Sequence, residues 1–105
     1  MKLTFDWAQR KVDQRVLQHP HGYFPDKKIF EKMIEEEKEI EEALLDYEKT
    51  PTKENLKAFK TEIGDELFAL VCLANKNNIS LEECFNLMME KNQGRAKNDY
   101  KKEEK

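Results

Sequence analysis

The chain of 105 residues reads as an all-α domain, a bundle of four helices. Three observations predict this class. Apolar residues recur at helical spacing in four separate stretches. Only three Gly and three Pro occur, and the Pro residues fall between those stretches, not within them. The connections left over are short, as in a helical bundle.

The first helix is expected from about Thr4 to Gln18, with Phe5, Ala8, Val12 and Val16 on one stripe and Trp7 beside it as a packing residue. HPHGYFP then breaks the pattern. A second helix begins near Asp26 after Pro25 and runs to about Tyr47, with Phe30, Met33, Ile34, Ile40 and Leu44 facing inward. In the following TPT, Thr50 is placed to cap a third helix that starts at Pro51. That helix carries Leu56, Phe59, Ile63, Leu67, Leu70, Val71 and Ala74, and it ends at the Asn-rich KNN. Ser80-Leu81-Glu82-Glu83 has the form of a capping box for a fourth helix through Cys84, Phe85, Met88 and Met89. Gly94 is a point where this helix ends or is interrupted. Residues 1–95 are thus read as the domain, and residues 96–105 as a charged tail that frays.

Composition narrows the function. Nineteen Lys and Arg against 22 Asp and Glu give a net charge of -3, which disfavours a nucleic-acid partner. No apolar run is long enough for a membrane span or a signal peptide, so a cytoplasmic protein is expected. Cys72 and Cys84 lie in no metal-binding spacing and read as small buried hydrophobes. A hydrophobic fraction of 38% supports only a modest core, which favours completion of the bundle by a second copy.

Six of the ten residues in EEEKEIEEAL, positions 35–44, are glutamates. Such a run is either a solvated face or a metal site. Glu36 and Glu39 are one turn apart, about 60° from one another around the helix, with Glu35 adjacent. In EIGDELF, Glu62 and Asp65 repeat that spacing beside Ile63 and Leu67. Two such pairs on neighbouring antiparallel helices converge, and four crowded carboxylates call for divalent cations to relieve their repulsion. An all-oxygen donor set favours Mg²⁺ or Mn²⁺. A di-iron carboxylate bundle would want Glu-x-x-His pairs, and neither His19 nor His21 stands three after a Glu.

KMIEEEKEIEEAL followed by EIGDELFALVCLANKNNISLEECF resembles the MazG-like nucleotide pyrophosphohydrolases, with their E-E-x-x-E motif on one helix and E-x-x-D on the next. The resemblance implies an all-α enzyme, a homodimer or homotetramer, that cleaves nucleoside triphosphates between the α- and β-phosphates to a monophosphate and pyrophosphate. Carried over residue by residue, it makes Glu36, Glu39, Glu62 and Asp65 ligands of Mg²⁺, with Mn²⁺ as a possible substitute. Glu35 then orients or deprotonates the attacking water. Lys91, Asn92 and Arg95 fall where such enzymes grip phosphates, although basic residues also suit any helix C-terminus. A noncatalytic helical interaction module is the alternative of another class. A dUTP or phosphoribosyl-ATP hydrolase is the narrower alternative within the same superfamily.

Glu37 and Lys38 depart from the family pattern, which has small or apolar residues there. On the helical wheel Glu37 falls in the apolar stripe near Phe30 and Leu44, so it is expected against the core, where a lone carboxylate is costly. His19, His21 and Tyr23 are read as surface rings on a turn, with contact to a base as the functional alternative. Gly64, inside a helix, suggests close approach of another backbone beside the carboxylates. Met88 and Met89 read as core or subunit-contact residues.

Overall fold

The computed structural model describes residues 2–103, with side chains through residue 94. Among these there are four helices and no strand: α1 (Phe5–Val16), α2 (Asp26–Lys49), α3 (Lys53–Lys76) and α4 (Leu81–Glu103). Each start has a local cause. Thr4 Oγ1 accepts from the Trp7 N–H at 3.0 Å to cap α1, and Ser80 Oγ accepts from the Glu83 N–H at 3.3 Å to cap α4. The start of α3 differs from expectation by two residues. Thr52, not Thr50, is its cap, accepting from the Asn55 N–H at 3.1 Å. Thr50 closes α2 instead, its N–H donating to the Asp46 carbonyl at 2.8 Å, so Pro51 lies between the helices. α4 continues through Gly94, where the missing side chain costs about 1 kcal/mol of helix propensity without breaking the ladder.

α2 and α3 form a hairpin packed along its length, α1 lies on α3, and α4 touches α1. The buried centre joins Val16, Ile29 and Cys72, with Val12, Tyr23, Met33 and Leu73 packed around it. Phe5 of α1 meets Phe85 of α4 with ring centroids 5.6 Å apart. The remainder of α4 adds little, since every described residue from Glu82 to Gly94 is exposed. The radius of gyration, 17.3 Å, exceeds the roughly 13 Å of a compact chain of this size.

The face that α2 buries is rotated from the one expected. Ile29, Met33, Glu36 and Ile40 turn toward the bundle, whereas Phe30 and Ile34 remain 50% and 58% exposed. Glu37 is exposed and not set against the core. The helix carries two adjacent apolar rows, and period alone does not say which one its own subunit covers. α3 behaves likewise: Val71 and Ala74 are buried as expected, together with Ala69 and Cys72, but Ile63, Leu67 and Leu70 are exposed. Cys84 is also exposed, in contrast to Cys72. A Cβ added at Gly64 would meet nothing within 4 Å, so no backbone of another helix among the described residues approaches it.

Candidate active site

The rotation of α2 places Glu36, not Glu37, against α3. One carboxylate oxygen from each of Glu36, Glu62 and Asp65 lies within 4.8 Å of the others. Glu36 is only 3% exposed. Its Oε1 receives the Lys32 ammonium at 3.1 Å, but its Oε2 is buried with no hydrogen-bond partner, as is Oε2 of Glu62. Buried oxygens without donors are costly and usually mark a missing partner. An oxygen-only group with unsatisfied lone pairs is a fitting donor set for a hard divalent cation such as Mg²⁺ or Mn²⁺.

Glu39, one turn beyond Glu36, reaches the same group. Glu62 first and then Glu36, to which a protonated Glu39 can donate a hydrogen bond, push its pKa up to about 7, because one proton relieves the repulsion among the three. The four carboxylates on E-x-x-E and E-x-x-D spacing are therefore neighbours in space. Glu35 is exposed and lies outside the close group of three. Lys32 is held more firmly protonated by its hydrogen bond to Glu36 and by the charge of Glu35. Glu66 was overlooked in the sequence, although it stands one turn after Glu62 on the same helix face. Its Oε1 is buried and unpartnered, and burial, with Glu37 and Glu36 nearby, raises its pKa.

Lys91 and Asn92 are exposed on α4, and Asn92 Nδ2 donates to Met88 Sδ at 3.0 Å. Neither lines the cavity beside the carboxylates. The side chain of Arg95 lies outside the described residues.

A cavity of about 580 Å³ adjoins the cluster, with Glu36 and Asp65 in its wall. Opposite them stand the rings of the α1–α2 connection. His19 and His21 stack at 5.8 Å, His21 and Phe24 at 4.9 Å, and the Lys28 ammonium lies 4.2 Å from the centre of Phe24. The connection is a built turn. Gly22 has φ +63°, a left-handed conformation suited to Gly, and its N–H donates to the His19 carbonyl at 3.1 Å. The Tyr23 hydroxyl donates to Asp13 and accepts from Asn75 Nδ2 at 3.0 Å. Burial and the Asp13 carboxylate push its pKa up to about 12. The rings read from the sequence as a surface turn, with base contact as the alternative, line this cavity.

Residues 24–99 match the MazG nucleotide pyrophosphohydrolase domain. The chain belongs to the MazG nucleotide pyrophosphohydrolase family. It is 38% identical over 104 residues to YpjD, an uncharacterised protein of Bacillus subtilis (strain 168), covering 96% of this chain and 94% of that one. The crystal structure of the Bacillus-conserved MazG protein, a nucleotide pyrophosphohydrolase, superposes with a TM-score of 0.76 at 30% identity, over 86% of this chain and 90% of the other. That of YPJD from Bacillus subtilis also gives 0.76, at 33% identity over 89% and 98%. The all-α MazG fold expected from the motifs is therefore the fold of this chain, and its acidic hairpin α2–α3 is the part the motifs describe.

Proposed function

We propose that this MazG-family protein is a Mg²⁺-dependent nucleoside triphosphate pyrophosphohydrolase, acting on NTPs or dNTPs in the cytoplasm to give a monophosphate and pyrophosphate. Surplus or noncanonical nucleotides are the natural substrates of such a house-cleaning activity. One observation carries the reading: Glu36, Glu62 and Asp65 bring three carboxylate oxygens within 4.8 Å, two of these residues having a buried oxygen that nothing satisfies.

In this reading Glu36, Glu39, Glu62 and Asp65 hold the metal. When bound, Mg²⁺ neutralises charge on the phosphate oxygens and supplies electrostatic stabilisation to the phosphoryl group being attacked. The protein's own contributions are positional. Burial fixes Glu36 on the rigid α2–α3 hairpin, and Lys32 restrains one of its oxygens. Glu35, exposed at the edge of the cluster, orients the attacking water or accepts its proton. Lys91, Asn92 and Arg95 complete the reading as phosphate contacts.

The subunit associates with copies of itself, as a homodimer or homotetramer. Phe30 and Ile34 on α2, with Ile63, Leu67 and Leu70 on α3, leave a wide apolar surface that a lone soluble subunit seldom keeps. No described helix is long and apolar enough to cross a membrane.

The deciding experiment is a panel of NTPs and dNTPs incubated with protein and Mg²⁺ or Mn²⁺, with products separated. Monophosphate and pyrophosphate are expected. Orthophosphate with a diphosphate, or no turnover of any substrate, refutes the reading.

A further inference from the structure

The α2–α3 hairpin has two sides, and the cavity occupies one of them. On the other, residues one position after the packed rows turn outward. Phe30 and Ile34 follow Ile29 and Met33 on α2, and Ile63, Leu67 and Leu70 follow Glu62, Glu66 and Ala69 on α3. One residue is about 100° of rotation in the same sense, and because the two helices are antiparallel both rows face the same way. None of these five exposed apolar residues lines the cavity. The face nevertheless has a charged centre. Exposed apolar residues run from Phe30 to Leu45 on α2 and from Ile63 to Leu70 on α3, and Glu37 and Glu66 fall midway along the two stretches. Burial and then the charge of Glu37 raise the pKa of Glu66, whose Oε1 has no hydrogen-bond partner. Among the described residues, no Lys or Arg forms an ion pair with either acid.

Lysines stand beside these acids on the same face. Lys38 follows Ile34 by four residues and Lys60 precedes Ile63 by three, and both are exposed. Along the helix axes Lys38 is about 1.5 Å from the level of Glu37, and Lys60 about 9 Å from that of Glu66. A surface with acids at its centre and bases next to them is complementary to a copy of itself turned by a two-fold axis, where each acid-to-base contact occurs twice. We infer that this face is a two-fold contact between copies of the chain, registered by Glu37 and Glu66 of one copy against the partner's Lys38 and Lys60. The assignment rests on the self-association reading above and adds what selects the partner. Apolar burial alone is non-directional and accepts any surface of suitable shape. Two carboxylates carried into such a contact without cations would oppose it, so only a partner that brings ammonium groups to that place fits. The contact lies away from the cavity, so association leaves that opening free.

The test is a charge exchange on the full chain, read by sedimentation velocity and native mass spectrometry. The Glu37→Lys/Glu66→Lys and Lys38→Glu/Lys60→Glu proteins each place like charges against like, and each alone should fall to half the mass of the parent assembly. Mixed in equal amounts, the two should return to the parent mass with one chain of each kind in every pair, a recovery that mere destabilisation of either variant does not produce. Parent mass retained by each variant alone overturns the inference, and so does a mixture that stays dissociated while both variants keep their helical circular dichroism. A milder variant covers the case in which a reversal does not fold. Glu37→Gln/Glu66→Gln should raise the dissociation constant of the contact at least about thirtyfold by stranding the partner's ammonium groups. An unchanged or lower constant overturns the inference while leaving self-association intact. A monomeric parent instead refutes the self-association reading itself, and with it a second copy as the occupant of this face.

Discussion

The Lys32 ammonium lies 3.1 Å from Glu36 Oε1, one turn earlier on α2, and so a solvent-exposed cation is paired with the most buried carboxylate of the cluster. The pair is asymmetric. Losing Lys32 removes the cation paired with Glu36 and leaves this buried carboxylate facing only other carboxylates. Solvent reaching the ammonium keeps the cost near ~1 kcal/mol, below that of a fully buried pair. Lys32→Met should therefore lower the melting temperature of the metal-free protein slightly, and should enlarge the increment that Mg²⁺ produces, because ion and ammonium compete for one carboxylate. A smaller Mg²⁺ increment in the variant would show instead that Lys32 supports the occupied site.

Metal binding itself is testable without a substrate. A cation that binds only the folded chain adds RT ln(1 + [L]/Kd), about 2.7 kcal/mol at a hundred times its dissociation constant. Mg²⁺ or Mn²⁺ should raise the melting temperature beyond NaCl of matched ionic strength, which accounts for screening. Glu36→Gln and Asp65→Asn should abolish the specific increment, and each should stabilise the metal-free fold or leave it unchanged by relieving crowding. If Mg²⁺ acts only as salt does, EEEKEIEEAL is a solvated face and the enzymatic reading fails.

The crowding also sets a pH dependence. Glu39 has its pKa pushed from the ordinary 4.5 up to about 7, first by Glu62 and then by Glu36. The folded chain thus holds this proton more tightly than the unfolded one. The associated stability is complete below about pH 4.5 and is lost as pH rises through about 7. Melting of the metal-free protein should fall across that window, and Glu39→Gln should flatten most of the slope. Glu66 contributes in the same direction, since burial raises it too. Asp26 acts oppositely but below this window, its hydrogen bonds from Lys76 and Asn77 holding it under the usual 3.8. A flat parent profile from pH 4.5 to 7 would show that Glu36, Glu39 and Glu62 share no proton.

Self-association can be read by sedimentation. Ile34 is 58% exposed and Leu67 55%, one on each helix of the hairpin. If these faces are covered by other copies, Ile34→Lys and Leu67→Lys should shift the parent species toward a monomer, because burying an unpaired ammonium is strongly unfavourable. An unchanged sedimentation coefficient in both variants would place the contact elsewhere, and a monomeric parent would end the proposal.

Much of the hairpin was legible in the sequence because its causes are local. Helix spacing puts Glu36 with Glu39 and Glu62 with Asp65 on shared faces, and Ser80 marks the start of α4 through a bond only three residues long. The order of those elements and the proximity of the acidic pairs follow from the short link between α2 and α3. The cap of α3 was less legible: Thr50 was expected and Thr52 caps it, since the outcome depends on how far α2 propagates.

What only the tertiary structure decided was which surfaces meet. α2 offers Ile29 and Met33 on one apolar row and Phe30 and Ile34 on the next, and packing on α3 selected the first, which buried Glu36 and left Glu37 in solvent. The cavity is likewise non-local, since its ring wall is held by bonds from Tyr23 to Asn75, 52 residues away, and from Asn75 to Gln9, 66 residues away. A helix forms from hydrogen bonds four residues apart and so is written in the local sequence. The face it buries is a competition among rows of similar hydrophobicity, and the partner helix settles it.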